Sequence, residues 1–147
     1  MTPLPTRTAI ETAFIRDPAL FIFRYSDPAN PPRAVGGRDG AALEINGPPD
    51  APASVSLAVV VPPDNLPMAE RGGIFLMLLL SVVDKAWMAA NAGGGSWLTG
   101  NLRIAARDPR TIRSVRRSHN GRVYELTTDR ARSLATLTIT PAERGNE

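Results

Sequence analysis

The chain reads as an α+β domain in which an antiparallel β-sheet curls around one long buried helix. Three observations lead there. Ile74 to Asn91 is a helical segment whose first half is apolar on every side, and in water such a helix has to be buried all round. Stretches of alternating apolar and polar residues precede and follow it, with the two-residue period of strands that have one buried face. Asn120-Gly121 separates two of these stretches and is the pair favoured by a type I′ hairpin turn. A chain of 147 residues has room for one domain with a substantial core and not for two, so residues 1–147 are taken as a single domain.

Each element follows from local signals. Thr8 to Arg16 has the spacing of a short amphipathic helix, stopped by Asp17-Pro18 because proline disfavours helix in the residue before it. Leu20 to Tyr25 alternates Phe21, Phe23 and Tyr25 as on one face of a strand. These aromatics are expected to pack into the core, since no second aromatic strand accompanies them as in single-stranded nucleic-acid platforms. Residues 27–53 are rich in Pro, Gly, Asp and Asn, including Asp27-Pro28, Pro31-Pro32, Gly36-Gly37 and Pro48-Pro49. They read as loop around at most a short strand at Ala41 to Ile45.

Ser54 to Val61 is a clearer strand, with Val55, Leu57, Val59 and Val61 on one face and Pro62-Pro63 as its stop. Arg71-Gly72-Gly73 then leads into the long helix, which Gly93-Gly94-Gly95 closes. Trp97 to Ile104 is expected to be a strand with Leu98, Leu102 and Ile104 on one face and Thr99, Asn101 and Arg103 on the other. Thr111 to Ser118 and Arg122 to Thr128 flank the hairpin turn. Ser133 to Thr140 alternates Ala135, Leu137 and Ile139 with three threonines.

Composition narrows the chemistry. There is no Cys and a single His, His119, so thiol nucleophiles, thiolate-held metals, His-rich zinc sites and most Ser-His-Asp triads are excluded. No metal site or cofactor is expected. His119 is assigned to the hairpin turn. Sixteen of the seventeen cationic side chains are Arg and one is Lys85, and the charge is uneven: residues 1–73 carry net −2 and residues 74–147 net +5. An anion-binding surface is therefore expected in the C-terminal half, where nine Arg fall between Arg103 and Arg132. The N-terminus lacks the apolar run of a signal peptide. Ile74 to Val83, interrupted only by Ser81, is about half the ~20 residues of a membrane span. A soluble, cytoplasmic protein is expected, with no membrane or nucleic-acid partner.

These segments resemble the hotdog fold, and within it the acyl-CoA thioesterases related to the phenylacetate-pathway enzyme. Asn65-Leu66-Pro67-Met68-Ala69-Glu70-Arg71-Gly72-Gly73 keeps that family's spacing from an Asn-containing loop to a Gly-Gly pair. Leu98-Thr99-Gly100-Asn101-Leu102-Arg103-Ile104 looks like its Thr-bearing strand. Val83-Asp84-Lys85-Ala86-Trp87 resembles its acid-bearing helical run. The likeness covers about residues 54–140. Arg71 stands where the family has His, and Leu80 stands where its helix carries the catalytic acid, one turn before Asp84.

The resemblance implies hydrolysis of an acyl-CoA thioester to an acid and CoA, by a homodimer or dimer of dimers whose active sites are shared between subunits. Coenzyme A then enters only as part of the substrate. Amides of Gly72 and Gly73 at a helix start would polarise the thioester carbonyl and hold its oxyanion. Asp84 would act as nucleophile or general base, Thr99 would orient the water, and Asn65 would fix the loop or the substrate. Arg116, Arg117 and Arg122 would hold the phosphates of CoA. Each has a plainer reading: a loop glycine, an Asp paired with a cation, an ordinary Thr, a turn-forming Asn and a solvated basic face. The alternative for the whole chain is a catalytically silent hotdog domain that binds an acyl-CoA or another apolar ligand.

Overall fold

Two antiparallel meanders share one sheet. The computed structural model describes residues 3–16, 19–25, 33–108 and 110–142. Helix α1 (Arg7–Ile15) is followed by strands β1 (Ile22–Tyr25), β2 (Arg33–Arg38), β3 (Ala41–Asn46) and β4 (Ser54–Val60). Helices α2 (Leu66–Ala89) and α3 (Gly94–Ala105) then intervene before β5 (Ile112–His119), β6 (Arg122–Asp129) and β7 (Leu134–Pro141). The seven strands lie in the order β1-β2-β3-β4-β7-β6-β5, and every pairing is antiparallel.

The β4–β7 pair joins the halves, with Leu57 opposite Leu137 and both buried. Their alternation places Val55, Leu57, Val59, Ala135, Leu137 and Ile139 in the core, as the two-residue period requires. On the opposite face Ser56 and Thr138 share a hydroxyl hydrogen bond of 3.0 Å. Phe75, Leu76, Leu79, Leu80 and Val83 of α2 are buried in the same core cluster. Phe21 bridges the helices, 5.0 Å from Phe14 of α1 and 5.2 Å from Phe75 of α2 between ring centres. The architecture is therefore α+β, with a seven-stranded antiparallel sheet, three helices and one long helix packed against the sheet.

Several expectations change. The long helix begins at Leu66 rather than Ile74, because Asn65 caps it: the Asn65 side chain accepts the Met68 N–H at 3.2 Å, a bond that Ncap residues supply. Residues 97–104 lie in α3 and are not a strand. Leu98 and Ala105 are buried there and Leu102 packs half-buried against the core, a helical spacing. The polar residues feed the helix ladder, Thr99 Oγ1 donating to the Gly95 carbonyl at 2.9 Å and the Asn101 amide to that of Trp97 at 2.8 Å.

The segment read as loop contains a second strand, β2, besides the one expected near residue 41. Its Gly36 pairs with Phe23 across β1, and a Cβ there would come 2.4 Å from the Phe23 ring. The glycine is a seat for the aromatic side chain, a device that stabilises glycine in strands. Phe21 precedes β1 and is buried, while Tyr25 is half exposed and donates to Glu11 at 2.8 Å. The expected stop at Asp17-Pro18 and the stretch Asp27 to Pro32 lie outside the described residues. The hairpin at Asn120-Gly121 forms as read, with φ of 51° and 72°, the left-handed pair that a type I′ turn requires.

Candidate functional site

Asp84 interrupts the long helix. Its backbone is non-helical (φ −152°, ψ 81°), and its Oδ1 accepts the Trp87 N–H at 3.1 Å. Asp84 thus ends one helical segment and caps the next, supplying an acceptor for an amide that the break has orphaned. The other oxygen, Oδ2, is buried and has no hydrogen-bond partner among the described residues. It faces the Arg122 guanidinium, with Nη1 at 3.8 Å, and the His119 imidazole, with Nε2 at 3.9 Å.

The two-residue hairpin turn brings those groups together. Register pairs His119 with Arg122 and Arg117 with Tyr124, so all four share the helix-facing side, where Tyr124 is buried. His119 stacks on Trp87 at 4.6 Å and 15° between planes, and Tyr124 packs on the same indole at 4.5 Å. The Tyr124 hydroxyl is buried without a hydrogen bond among the described residues. Burial raises its pKa, Arg122 acts in the opposite direction, and the Asp84 charge adds to the rise. Arg122 also donates to the Pro3 carbonyl at 2.9 Å. The cluster is a carboxylate with one committed and one open oxygen, walled by an aromatic stack that includes the His119 imidazole and by the Arg122 guanidinium.

A second feature lies elsewhere on α2. A cavity of about 380 Å³ opens between Ala69 and Gly73 of α2, Leu102, Ala105 and Ala106 at the end of α3, and the β6–β7 turn with Leu134. Thr128, Asp129, Arg130 and Ser133 supply its polar groups. Apolar walls with a few polar groups on one side are the usual make-up of a small-molecule site, and its volume lies within the ~300–1,000 Å³ range of such sites.

The residues singled out in the sequence do not converge. Gly72 and Gly73 lie inside α2, about two turns from its start, so their amides belong to the helix ladder and are not the open donors expected of an oxyanion hole. Gly72 serves packing: a Cβ there would lie 3.0 Å from the Val60 carbonyl oxygen, so the missing side chain lets α2 approach β4. Asp84 is eleven residues beyond Gly73, about 16 Å along a helix, and the two do not form one site within a chain. Asn65 caps α2, and Thr99 is an α3 residue bonded to its own helix.

The three arginines separate as well. Arg122 lies beside Asp84, Arg117 is exposed on the same sheet face, and Arg116 points to the other face, where it pairs with Glu125 at 3.2 Å. Much of the surrounding basic cluster is also paired. Asp108 holds Arg110 at 2.7 Å and Arg113 at 3.5 Å, and Arg132 lies 3.8 Å from Asp129. His119, Trp87 and Tyr124 were not recognised as neighbours of Asp84. The signal for the two strand residues was present in Asn120-Gly121, since a two-residue turn fixes the register of its strands.

Comparison with known proteins finds no matching family model, no matching curated protein and no matching solved structure.

Proposed function

We propose that the protein binds an apolar acyl ligand, of the acyl-CoA class, in the cavity between the first turns of α2, the end of α3 and the β6–β7 turn. The observation that carries this reading is the cavity of about 380 Å³, apolar toward Leu102, Ala105 and Leu134 and edged by Thr128, Asp129 and Arg130. An acyl chain gains free energy by leaving water for such walls, at about 25 cal/mol per Å² of apolar surface removed. A negatively charged head group would then lie toward Arg130. The finer fold reading that accompanies it, a hotdog-like arrangement, is supported by the packing of α2 on an antiparallel sheet, although α3 replaces the strand that the resemblance required.

Hydrolysis is a second reading, for a thioester held beside Asp84 and not in that cavity, favoured by the open, buried Oδ2 of Asp84. It rests on Asp84 without the glycine amides, which the helix already uses.

Titration with free CoA and with acyl-CoAs of increasing chain length tests the first reading. Affinity is expected to rise with chain length and to fall about tenfold or more, a loss of at least ~1.4 kcal/mol, when the exposed Ala106→Trp fills the cavity mouth. Free CoA binding as tightly as its long-chain thioesters would overturn it. Product release measured on the same panel addresses the second reading: turnover abolished in Asp84→Asn supports hydrolysis, and absence of turnover on every substrate removes it.

A further inference from the structure

The cavity beside Ala69 and Gly73 does not end at Gly73. A second, more open hollow of about 440 Å³ lies between Ile74 and Met77 of α2 and Leu98 of α3, and Gly73 and Leu102 line both. Ala69, Gly73 and Met77 recur every four residues along α2, as Leu98, Leu102 and Ala106 do along α3, so each set forms one ridge of its helix. The α2 positions all precede the break at Asp84, where helical phase is regular. Ala69 meets Ala106 across the first cavity and Met77 meets Leu98 across the second. The two hollows are therefore successive stretches of one groove between α2 and a returning α3.

Where the stretches meet, the space is held open by the side chain that Gly73 lacks. A Cβ there would have no atom within 4 Å, whereas the neighbouring Gly72 is pressed against β4. Glycine inside a helix is less stable than alanine, and among the described residues no close contact at Gly73 offsets that cost. What the residue supplies is the opening itself.

The order of chemistry along the groove selects its occupant. Polar groups gather at the first end, on Thr128, Asp129 and Arg130. The second stretch is apolar, with Ile74 56% exposed on its wall. Apart from Glu70, its polar residue is Thr99, whose hydroxyl already donates to the Gly95 carbonyl at 2.9 Å. Met77 bounds the far end, where a Cβ on Gly95 would lie 3.1 Å from the Met77 Cε. From Ala69 to Met77 the groove runs about 12 Å, at about 1.5 Å per residue. A polar head followed by an apolar chain matches this order.

We propose that the two hollows form one channel for an acyl ligand and that Gly73 sets which chain lengths it accepts. The head lies toward Arg130, the chain crosses Gly73 opposite Leu102, and its terminus rests against Ile74, Met77 and Leu98. The channel rests on the acyl-ligand reading above and extends it from the first cavity to chain-length selection.

Calorimetric titration with butanoyl-, octanoyl- and dodecanoyl-CoA tests it on the wild type, Gly73→Ala, Gly73→Leu and Ile74→Glu, with circular dichroism to check the fold. Ile74 lines only the second stretch and is exposed, so its variant carries the test if Gly73→Leu misfolds. In the wild type, affinity is expected to tighten about twofold per methylene from octanoyl to dodecanoyl, about half the gain in free energy of full burial. Gly73→Leu and Ile74→Glu are expected to lose about tenfold for dodecanoyl-CoA while butanoyl-CoA stays within about threefold of wild type. Gly73→Ala should stay within about threefold for both. Dodecanoyl-CoA held by Gly73→Leu and Ile74→Glu as tightly as by the wild type overturns the channel and leaves the first cavity standing. So does equal weakening of the short and long chains. A loss in Gly73→Ala as large as in Gly73→Leu also overturns it, by tracing the effect to the helix backbone. A wild type indifferent to chain length removes the cavity reading and the channel together. Sedimentation of the same proteins covers the other occupant: a wild-type dimer that Ile74→Glu dissociates, with dodecanoyl affinity unchanged, assigns the groove to a second copy and overturns the proposal.

Discussion

Asp108 shows how one carboxylate organises several arginines. Its oxygens accept the Arg110 backbone N–H at 2.9 Å and side-chain donors at 2.7 to 3.2 Å, its backbone carbonyl accepts a bond from Arg130, and Arg113 lies 3.5 Å away. The Arg110 hydrogen bonds hold the Asp108 pKa at about 2, below the ordinary 3.8. A carboxyl whose pKa is lowered by folding stabilises the native state above its unfolded pKa and loses that contribution as pH falls through the folded value. Wild-type Tm should therefore exceed that of Asp108→Asn above pH 4, and the difference should close between about pH 4 and pH 2. Thermal melts of both proteins across that range check it, and a pH-independent difference would show that the Arg110 pairing is not its source. The same residues were legible in the sequence only as a run of cations. Charge counting located the run, but it could not divide the arginines bonded to Asp108, Glu125 and Asp129 from those left to solvent, because pairing depends on which backbone segments meet.

The long helix holds two glycines in succession that do different work. Gly72 lies against β4, where a methyl group would meet the Val60 carbonyl oxygen at 3.0 Å and the Val59 and Val61 side chains at 3.2 Å. Gly73 would meet nothing within 4 Å. Gly72→Ala should destabilise the protein by about 1–3 kcal/mol through overpacking. Gly73→Ala should stabilise it by about 0.5–1 kcal/mol, because alanine gives up less backbone entropy in a helix. Urea denaturation of the two variants reads both signs, and equal effects would refute the assignment. In the sequence this pair looked like a helix start, since glycine also marks loops and caps. The role of Asn65 as the cap is not legible in the sequence, because the apolar run that marks the helix begins eight residues after Leu66. The same ambiguity hides α3 in the sequence: Leu98 and Leu102 are four residues apart, a spacing that fits two strand periods as well as one helical turn.

At the scale of the molecule, β4 and β7 make the four-stranded and three-stranded meanders one sheet. Leu57 and Leu137 face each other across that seam, fully buried. Leu57→Ala should cost about 2–5 kcal/mol and should shift a single transition rather than split it, because both meanders share this core. Calorimetry that resolves two separate transitions would show that the halves unfold independently. The outer strands are protected differently. β5 is an edge and carries Arg113, Arg116 and Arg117, charges that discourage pairing with another chain.

Local pattern determined a good deal of this protein. The alternation of Val55, Leu57 and Val59 and of Ala135, Leu137 and Ile139 set buried strand faces, Asn120-Gly121 set a hairpin, and the apolar run from Ile74 set a helix that the core needs. These features depend on residues within one or two turns of each other, so they are written in the sequence. Tertiary structure alone decided the rest: that Gly36 seats Phe23, that Gly72 serves helix packing, that Asp84 breaks α2 and caps it again, and that His119, Arg122 and Tyr124 gather around it. Each depends on contact between segments far apart in the chain, where periodicity carries no information and the free energy is settled by which surfaces leave water together.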